Sequence, residues 1–383
     1  MRRILIAGLV ALLLAGCAAT PHLETRFAGN RTMLLRDGAA LDFAACLTEQ
    51  LRLHPAMRGE DVLKLCRQAA VGPEHILGDT AAARRYFDAE FSAVEARPKA
   101  PLFEVISPDF VRVDLGAWKA RGLPSEWLFN LFAASARHFD DGDAVCREYR
   151  RIAERNLPEA LRQEFRRLAQ NPAAGTHHSE AYRRAERPAY RLVDTRFVNT
   201  LPVLLAAAKL PERPVRVIAV DGRAASGKTT LARQLEKVLG AGVVHMDDFF
   251  LPPELRTGKR YREPGGNVHY ERFAAEVLPR LAAPEPFSYR VFDCSTLRLD
   301  RTATVRRSAW RIVEGAYSLH PKFGNYADLK VFYDIAPEEQ LRRLKERNGE
   351  AGARVFQTRW IPLEENYLRT YGIRERADLV IGR

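Results

Sequence analysis

The sequence has no C-x-x-C pair and no group of histidines and cysteines at zinc-ligand spacing, so the common structural zinc modules are excluded. Its five cysteines, at 17, 46, 66, 146 and 294, are scattered along the chain. Cys46, Cys66 and Cys146 fall among apolar helical positions and are expected as small buried residues. There is no internal repeat, heptad run or low-complexity tract. Lysine is scarce beside arginine, which supplies most of the formal charge of +12. Those arginines alternate with glutamate at helical spacing, as in Arg147-Glu148-Tyr149-Arg150-Arg151, the pattern of a solvated helix face laced with ion pairs. No tract interleaves aromatic and basic residues as a single-strand groove does, which speaks against nucleic acid. A nucleotide or a membrane surface is left as the anionic partner.

The apolar run from Ile4 to Leu14 is too short to span a bilayer as a helix. It follows Arg2 and Arg3 and ends in small residues, the layout of a signal peptide over residues 1–16. Its end, Leu14-Ala15-Gly16-Cys17, resembles a bacterial lipobox. The resemblance implies cleavage before Cys17, a diacylglycerol on its sulfur and a membrane-anchored lipoprotein. The alternative is a misassigned start, with translation from Met33 and a cytoplasmic protein, where ATP is the common currency.

Residues 34–200 are expected to form a mainly helical domain. Phe87, Phe91 and Val94 repeat at i, i+4, i+7, as do Leu161, Phe165 and Leu168. Ser125, after Pro124, is expected to cap the helix holding Leu128, Leu131 and Phe132. The polar segment His177-His178-Ser179-Glu180, leading to Tyr182 and Tyr190, is either a turn ahead of a helix or part of a ligand site. Composition changes at Pro211-Glu212-Arg213-Pro214, a linker. Residues 213–383 then alternate strand and helix, the mark of βαβ units around a parallel sheet.

The β-branched run Val215 to Val220 leads into Gly222-Arg223-Ala224-Ala225-Ser226-Gly227-Lys228-Thr229, a complete G-x-x-x-x-G-K-[ST] phosphate loop continued by Thr230. Leu231, Leu235, Val238 and Leu239 make the buried stripe of the helix that follows. Gly222 and Gly227 allow a tight turn that aims backbone N–H groups at phosphate oxygens, helped by the helix dipole. Lys228 carries charge to the β- and γ-phosphates of ATP, and Thr229 offers its hydroxyl to Mg²⁺. No N-K-x-D guanine-reading motif and no L-S-G-G-Q transporter signature accompanies it.

Two further strands end in carboxylates. Val243-Val244 leads to His245-Met246-Asp247-Asp248-Phe249-Phe250, and Trp310 to Val313 leads to Glu314-Gly315. Carboxyl ends of strands face the ligand crevice of an open α/β sheet. After a strand over Leu329–Ile335, an arginine-rich helix breaks at Gly349 and Arg354 follows. Together these features resemble the phosphoribulokinase/uridine kinase family over roughly 216–381. The resemblance implies that Asp247 is the general base, with Asp248 as rival or turn cap, and that Glu314 is the magnesium-side acid. It implies a lid whose arginines, Arg347 and Arg354 with Arg359 as a further candidate, close over the phosphates. The acceptor pocket is expected to involve Asp248, His269, Tyr289, Phe292 and Asp293. Here His269 stands where uridine kinases carry an aspartate, and Phe292 replaces a tyrosine.

The expected fold is an α/β P-loop NTPase domain, a parallel sheet flanked by helices with a kinase lid, preceded by the helical domain. The expected function is an ATP- and Mg²⁺-dependent kinase acting on a hydroxyl of a small metabolite such as a nucleoside. The rivals are an ATP-hydrolysing sensor without acceptor and an anchored interaction lipoprotein with a degenerate kinase domain.

Overall fold

A computed structural model describes residues 23–28, 31–36, 38–171 and 175–382. The apolar leader, the lipobox and Cys17 lie outside the described residues. The chain divides into two compact units, one ending at Val198 and the other beginning at Asn199. No helix among the described residues is long and apolar enough to cross a membrane.

The first unit is not helical throughout. Helices such as Phe43–Leu53, Gly59–Val71, Gly142–Asn156 and Glu159–Ala169 are joined by two three-stranded antiparallel sheets. One holds β1 (Leu23–Ala28), β2 (Arg31–Arg36) and β3 (Ala39–Ala40); the other holds β4 (Phe103–Val105), β5 (Phe110–Asp114) and β6 (Tyr190–Asp194). Ser125 does not cap its helix. Pro124 takes the N-cap position with extended ψ, so Ser125 falls inside the first turn, and the cap residue makes no side-chain hydrogen bond. Cys46 and Cys66 are buried, and burial pushes the Cys46 thiol up to about 12.

The polar segment at 177–180 is a capped turn tied to a buried carboxylate. Ser179 caps the helix Glu180–Glu186 by accepting from the Tyr182 amide. Asp61, fully buried, accepts from the amides of Arg58 (2.9 Å) and Ser179 (3.0 Å), from Ser179 Oγ (2.6 Å) and from His178 Nδ1 (2.8 Å). The other ring nitrogen of His178 lies 2.6 Å from Tyr190 Oη, over whose ring the Arg112 guanidinium stacks. Burial opposes the charge on Asp61, but these donors outweigh it and hold its pKa low. Asp61→Ala would strand those donors in the interior. We expect a loss of about 3 kcal/mol or more, seen as a lower urea midpoint.

In the second unit a five-stranded parallel sheet has the order β13-β12-β7-β11-β8, from β7 (Arg216–Gly222), β8 (Gly242–His245), β11 (Trp310–Glu314), β12 (Leu329–Tyr333) and β13 (Leu379–Ile381). The central strand β7 buries Ile218, Ala219 and Val220 completely, which explains its unbroken apolar run: helices cover both faces. With helices flanking this sheet, the unit has the α/β architecture of a P-loop NTPase. The chain leaves β7 for β8, two places away, and β11 fills the gap. The carboxyl ends of β7, β11 and β8 therefore open a crevice where the direction of progression changes. A separate antiparallel hairpin, β9 (Phe287–Asp293) with β10 (Arg298–Val305), stands outside this sheet. The helix Pro337–Val355 breaks at Gly349 (φ 69°, ψ 174°), a conformation that suits only glycine, and the helix Ile361–Tyr371 follows.

Candidate nucleotide and phosphoryl-transfer site

The phosphate loop turns tightly at the end of β7. Gly222 has φ 143°, and a Cβ there would lie 2.1 Å from the Tyr333 carbonyl oxygen on β12. Ala225 also takes a positive φ of 59°, and Gly227, at φ 112°, starts the helix Lys228–Leu239. The first helical bond runs from the Leu231 amide to the Gly227 carbonyl, so the amides of Lys228, Thr229 and Thr230 point out of the helix end. Ser226 Oγ is buried without a protein partner. Such a nest of outward amides, with an orphaned hydroxyl and a buried lysine, fits a chain of phosphates. Gly222→Ala adds both a clash and backbone strain of about 1–3 kcal/mol. We expect it to weaken binding of an ATP analogue about 10–100-fold in a calorimetric titration.

Lys228 is 8% exposed, and its Nζ donates to the Arg223 carbonyl at 2.7 Å. Arg223 points away from the loop centre: it donates to Glu365 at 2.5 Å and pairs with Asp334. Arg343 Nη1 donates to the carbonyls of Ala225 (3.3 Å) and Ser226 (3.2 Å), and Gln340 Nε2 to that of Ala224 (3.1 Å). Glu364 Oε2 accepts from the Ala224 amide at 2.8 Å. The loop is thus gripped by two helices far along the chain.

Beside the loop, Thr229 Oγ1 donates to Glu314 Oε2 at 3.2 Å, and Glu314 Oε1 lies 2.6 Å from His245 Nδ1. Glu314 and His245 are register partners on β11 and β8. The bond to Glu314 raises the His245 pKa against the effect of burial. Among the described residues no group of three His, Cys, Asp or Glu forms a metal cluster. A hydroxyl and one carboxylate fit Mg²⁺ nonetheless, because this ion keeps several waters and takes phosphate oxygens as ligands.

The turn after β8 carries Asp247. Gly315, at φ 131°, leaves room for Met246, whose Cβ would be 2.8 Å from a Cβ on that glycine. This close approach sets the turn against the end of β11. Asp247 is exposed to solvent, although protein crowds closely around it. That confinement, then the charge of Glu314, raises its pKa, while Lys228 pulls it down. Asp248 is differently held: Tyr289 Oη donates to its Oδ2 at 2.8 Å, and the Tyr289 ring stacks on Phe249 with centroids 5.2 Å apart.

His269 precedes the helix Tyr270–Glu276, and its amide donates to the Phe249 carbonyl at 2.6 Å, which lays 267–269 beside the Asp247 turn. Burial, then Arg272, lowers the His269 pKa, favouring the neutral ring. Phe292 is buried under the Arg256 guanidinium, and Asp293 is occupied by Ser295 and Arg301. Arg347 and Arg354 are exposed, the former over the Phe356 ring at 5.5 Å; Arg359 reaches Tyr261 Oη at 3.2 Å. Sequence reasoning passed over Arg343, Glu364, Glu365 and His245. Only His245, at a strand end two residues before Asp247, carried a local signal.

No protein-family model matches the chain. Among solved structures it is similar to one described as a possible uridine kinase from Bacillus stearothermophilus, at 22% identity and TM-score 0.39, over 48% of this chain and 97% of that one. TT1252 from Thermus thermophilus is 20% identical, with TM-score 0.28, over 45% of this chain and 90% of that one. D-glycerate 3-kinase from Cryptococcus neoformans is 15% identical, with TM-score 0.30, over 45% of this chain and 87% of that one.

Proposed function

We propose that the second unit is an ATP-dependent phosphotransferase that moves the γ-phosphoryl group of ATP to a hydroxyl of a small metabolite, in the manner of uridine kinases. One observation carries the reading. The phosphate loop, the Thr229–Glu314 pair and the open carboxyl of Asp247 converge at the carboxyl ends of β7, β11 and β8. A phosphate-binding loop alone serves many NTPases; a nearby solvent-open acid is what an attacking alcohol requires.

In this reading the loop amides and Lys228 hold the triphosphate tail. Thr229 and Glu314 would hold Mg²⁺, which when bound neutralises charge on the transferring oxygens. Asp247 accepts the acceptor's hydroxyl proton as its oxygen bonds to the γ-phosphorus, and ADP leaves with the electron pair of the broken P–O bond. The raised pKa of Asp247 makes it a better proton acceptor than an ordinary surface aspartate. Asp248, already holding the Tyr289 hydroxyl, would orient the acceptor with His269, Phe292 and Asp293. Arg347 and Arg354 flank the break at Gly349, the natural hinge for carrying them over the phosphates.

The test is ADP release measured against a panel of nucleosides, sugars and vitamins. We expect release to require one class of acceptor. Equal release with and without every acceptor would replace this reading with that of an ATP-hydrolysing sensor.

A further inference from the structure

Glu364 is an acid in an unusual place. It lies on the helix Ile361–Tyr371, is 6% exposed, and has its carboxyl on the Ala224 amide of the phosphate loop at 2.8 Å. Its surroundings are short of positive charge. Lys228 is the cation that most favours its ionised form, while Asp221 and Glu365 oppose it. Arg223 is committed to Glu365 and Asp334, and Arg343 faces the carbonyls of Ala225 and Ser226. The neighbouring Asp221 is differently placed: the amides of Gly222, Tyr317 and Leu319 and the Tyr367 hydroxyl all donate to it. The Tyr317 hydroxyl, also buried beside Glu364, stays neutral.

We propose that Glu364 takes up a proton when a nucleotide polyphosphate enters the loop, so that nucleotide binding is linked to pH through this one carboxyl. The inference rests on the reading of the loop as a nucleotide cradle. A polyphosphate brings several negative charges beside Glu364 and draws Lys228 Nζ from the Arg223 carbonyl toward the phosphates. The carboxylate then loses its main counter-charge and gains repulsion. Buried and nearly dry, it is relieved by a proton from solvent, which returns when the nucleotide leaves.

Burial has already moved the Glu364 pKa to about 7, so the proton is taken up near neutrality. The sign follows from linkage. A group whose pKa is higher in the complex strengthens binding below its free value, and the advantage is lost as pH rises toward the bound value. Nucleotide affinity should therefore fall above pH 7, by up to about tenfold per pH unit.

The experiment is calorimetric titration of Mg·ADP, whose phosphates are fully ionised at about pH 8, into the full chain in buffers of small and large ionisation enthalpy. For the wild type we expect the apparent enthalpy to follow the buffer, giving roughly half to one proton taken up. For Glu364→Gln we expect almost none, with an affinity that stays flat over the same pH range. Binding heat independent of buffer in the wild type, or equal uptake in the variant, overturns the inference and leaves the cradle standing. Absence of any nucleotide binding by the wild type overturns both. Should that variant not fold, Asp247→Asn in the same buffers separates the two open possibilities, since Lys228 also faces Asp247: uptake kept at the wild-type level supports Glu364, and uptake lost overturns the inference.

Discussion

Asp247→Asn is expected to cut phosphoryl transfer by about 10²–10⁴-fold, the usual size of a lost general base, while nucleotide affinity changes by less than about threefold. The separation follows from position. Asp247 sits on the turn after β8, two strands away from the loop, and the amides that would hold phosphate belong to residues 228–230. Asparagine keeps the shape and removes the basic oxygen, so the loss should fall on kcat rather than on binding. Because confinement and Glu314 raise the Asp247 pKa, the wild-type rate should fall on the acid side at a pH above that of an ordinary aspartate, and this limb should vanish in the variant. Asp248→Asn is the control. Its carboxyl is engaged by Tyr289, so it should alter the KM for the acceptor more than kcat. Full turnover by Asp247→Asn with loss in Asp248→Asn would transfer the base to the second aspartate.

How much of this site could be read in the sequence depended on how local each part is. The phosphate loop is eight consecutive residues between a buried strand and an amphipathic helix, so both motif and context are visible in one window. Asp247 and Glu314 end short apolar strands, which is enough to send them to the same crevice. The partnership of Glu314 with His245 is a matter of sheet register and leaves no mark in either segment. Glu364 reaches Ala224 from 140 positions away, and no short-range pattern separates it from the surface glutamates around it.

The arginines illustrate the same limit within one helix. Arg347 and Arg354 flank the glycine break that the sequence shows plainly, yet Arg343, one turn earlier, is the one touching the loop. Helical phase accounts for it: Glu339, Gln340 and Arg343 share a face, with Gln340 buried against the loop carbonyl. In the first unit, β5 pairs with β6 across most of that unit's helices, and each strand is only five residues long. Such short strands give too few alternations to stand out from helical periodicity.

Lys228→Ala should have the largest effect of all: transfer lost to background and nucleotide affinity reduced about 10–100-fold. In the proposed reading the lysine would supply a charge-assisted bond to the phosphates, worth about 1.5–3 kcal/mol in binding. It would also stabilise charge that appears only during transfer, where one lost donor costs about 10²–10³-fold. A third consequence is particular to this chain. Lys228 is the cation beside two buried acids, Asp221 and Glu364. Without it Asp221 keeps its four hydrogen-bond donors, but Glu364 loses its main counter-charge and should already hold its proton near neutrality. Nucleotide binding by Lys228→Ala should accordingly show little proton uptake at pH 7, weak as it is. Adding Glu364→Gln to this variant should change affinity less than it does alone, because the two side chains act through one charge balance. Full additivity in that double-mutant cycle would mean that Lys228 and Glu364 do not share a field, and the electrostatic account of the loop would have to be redrawn around Arg343 instead.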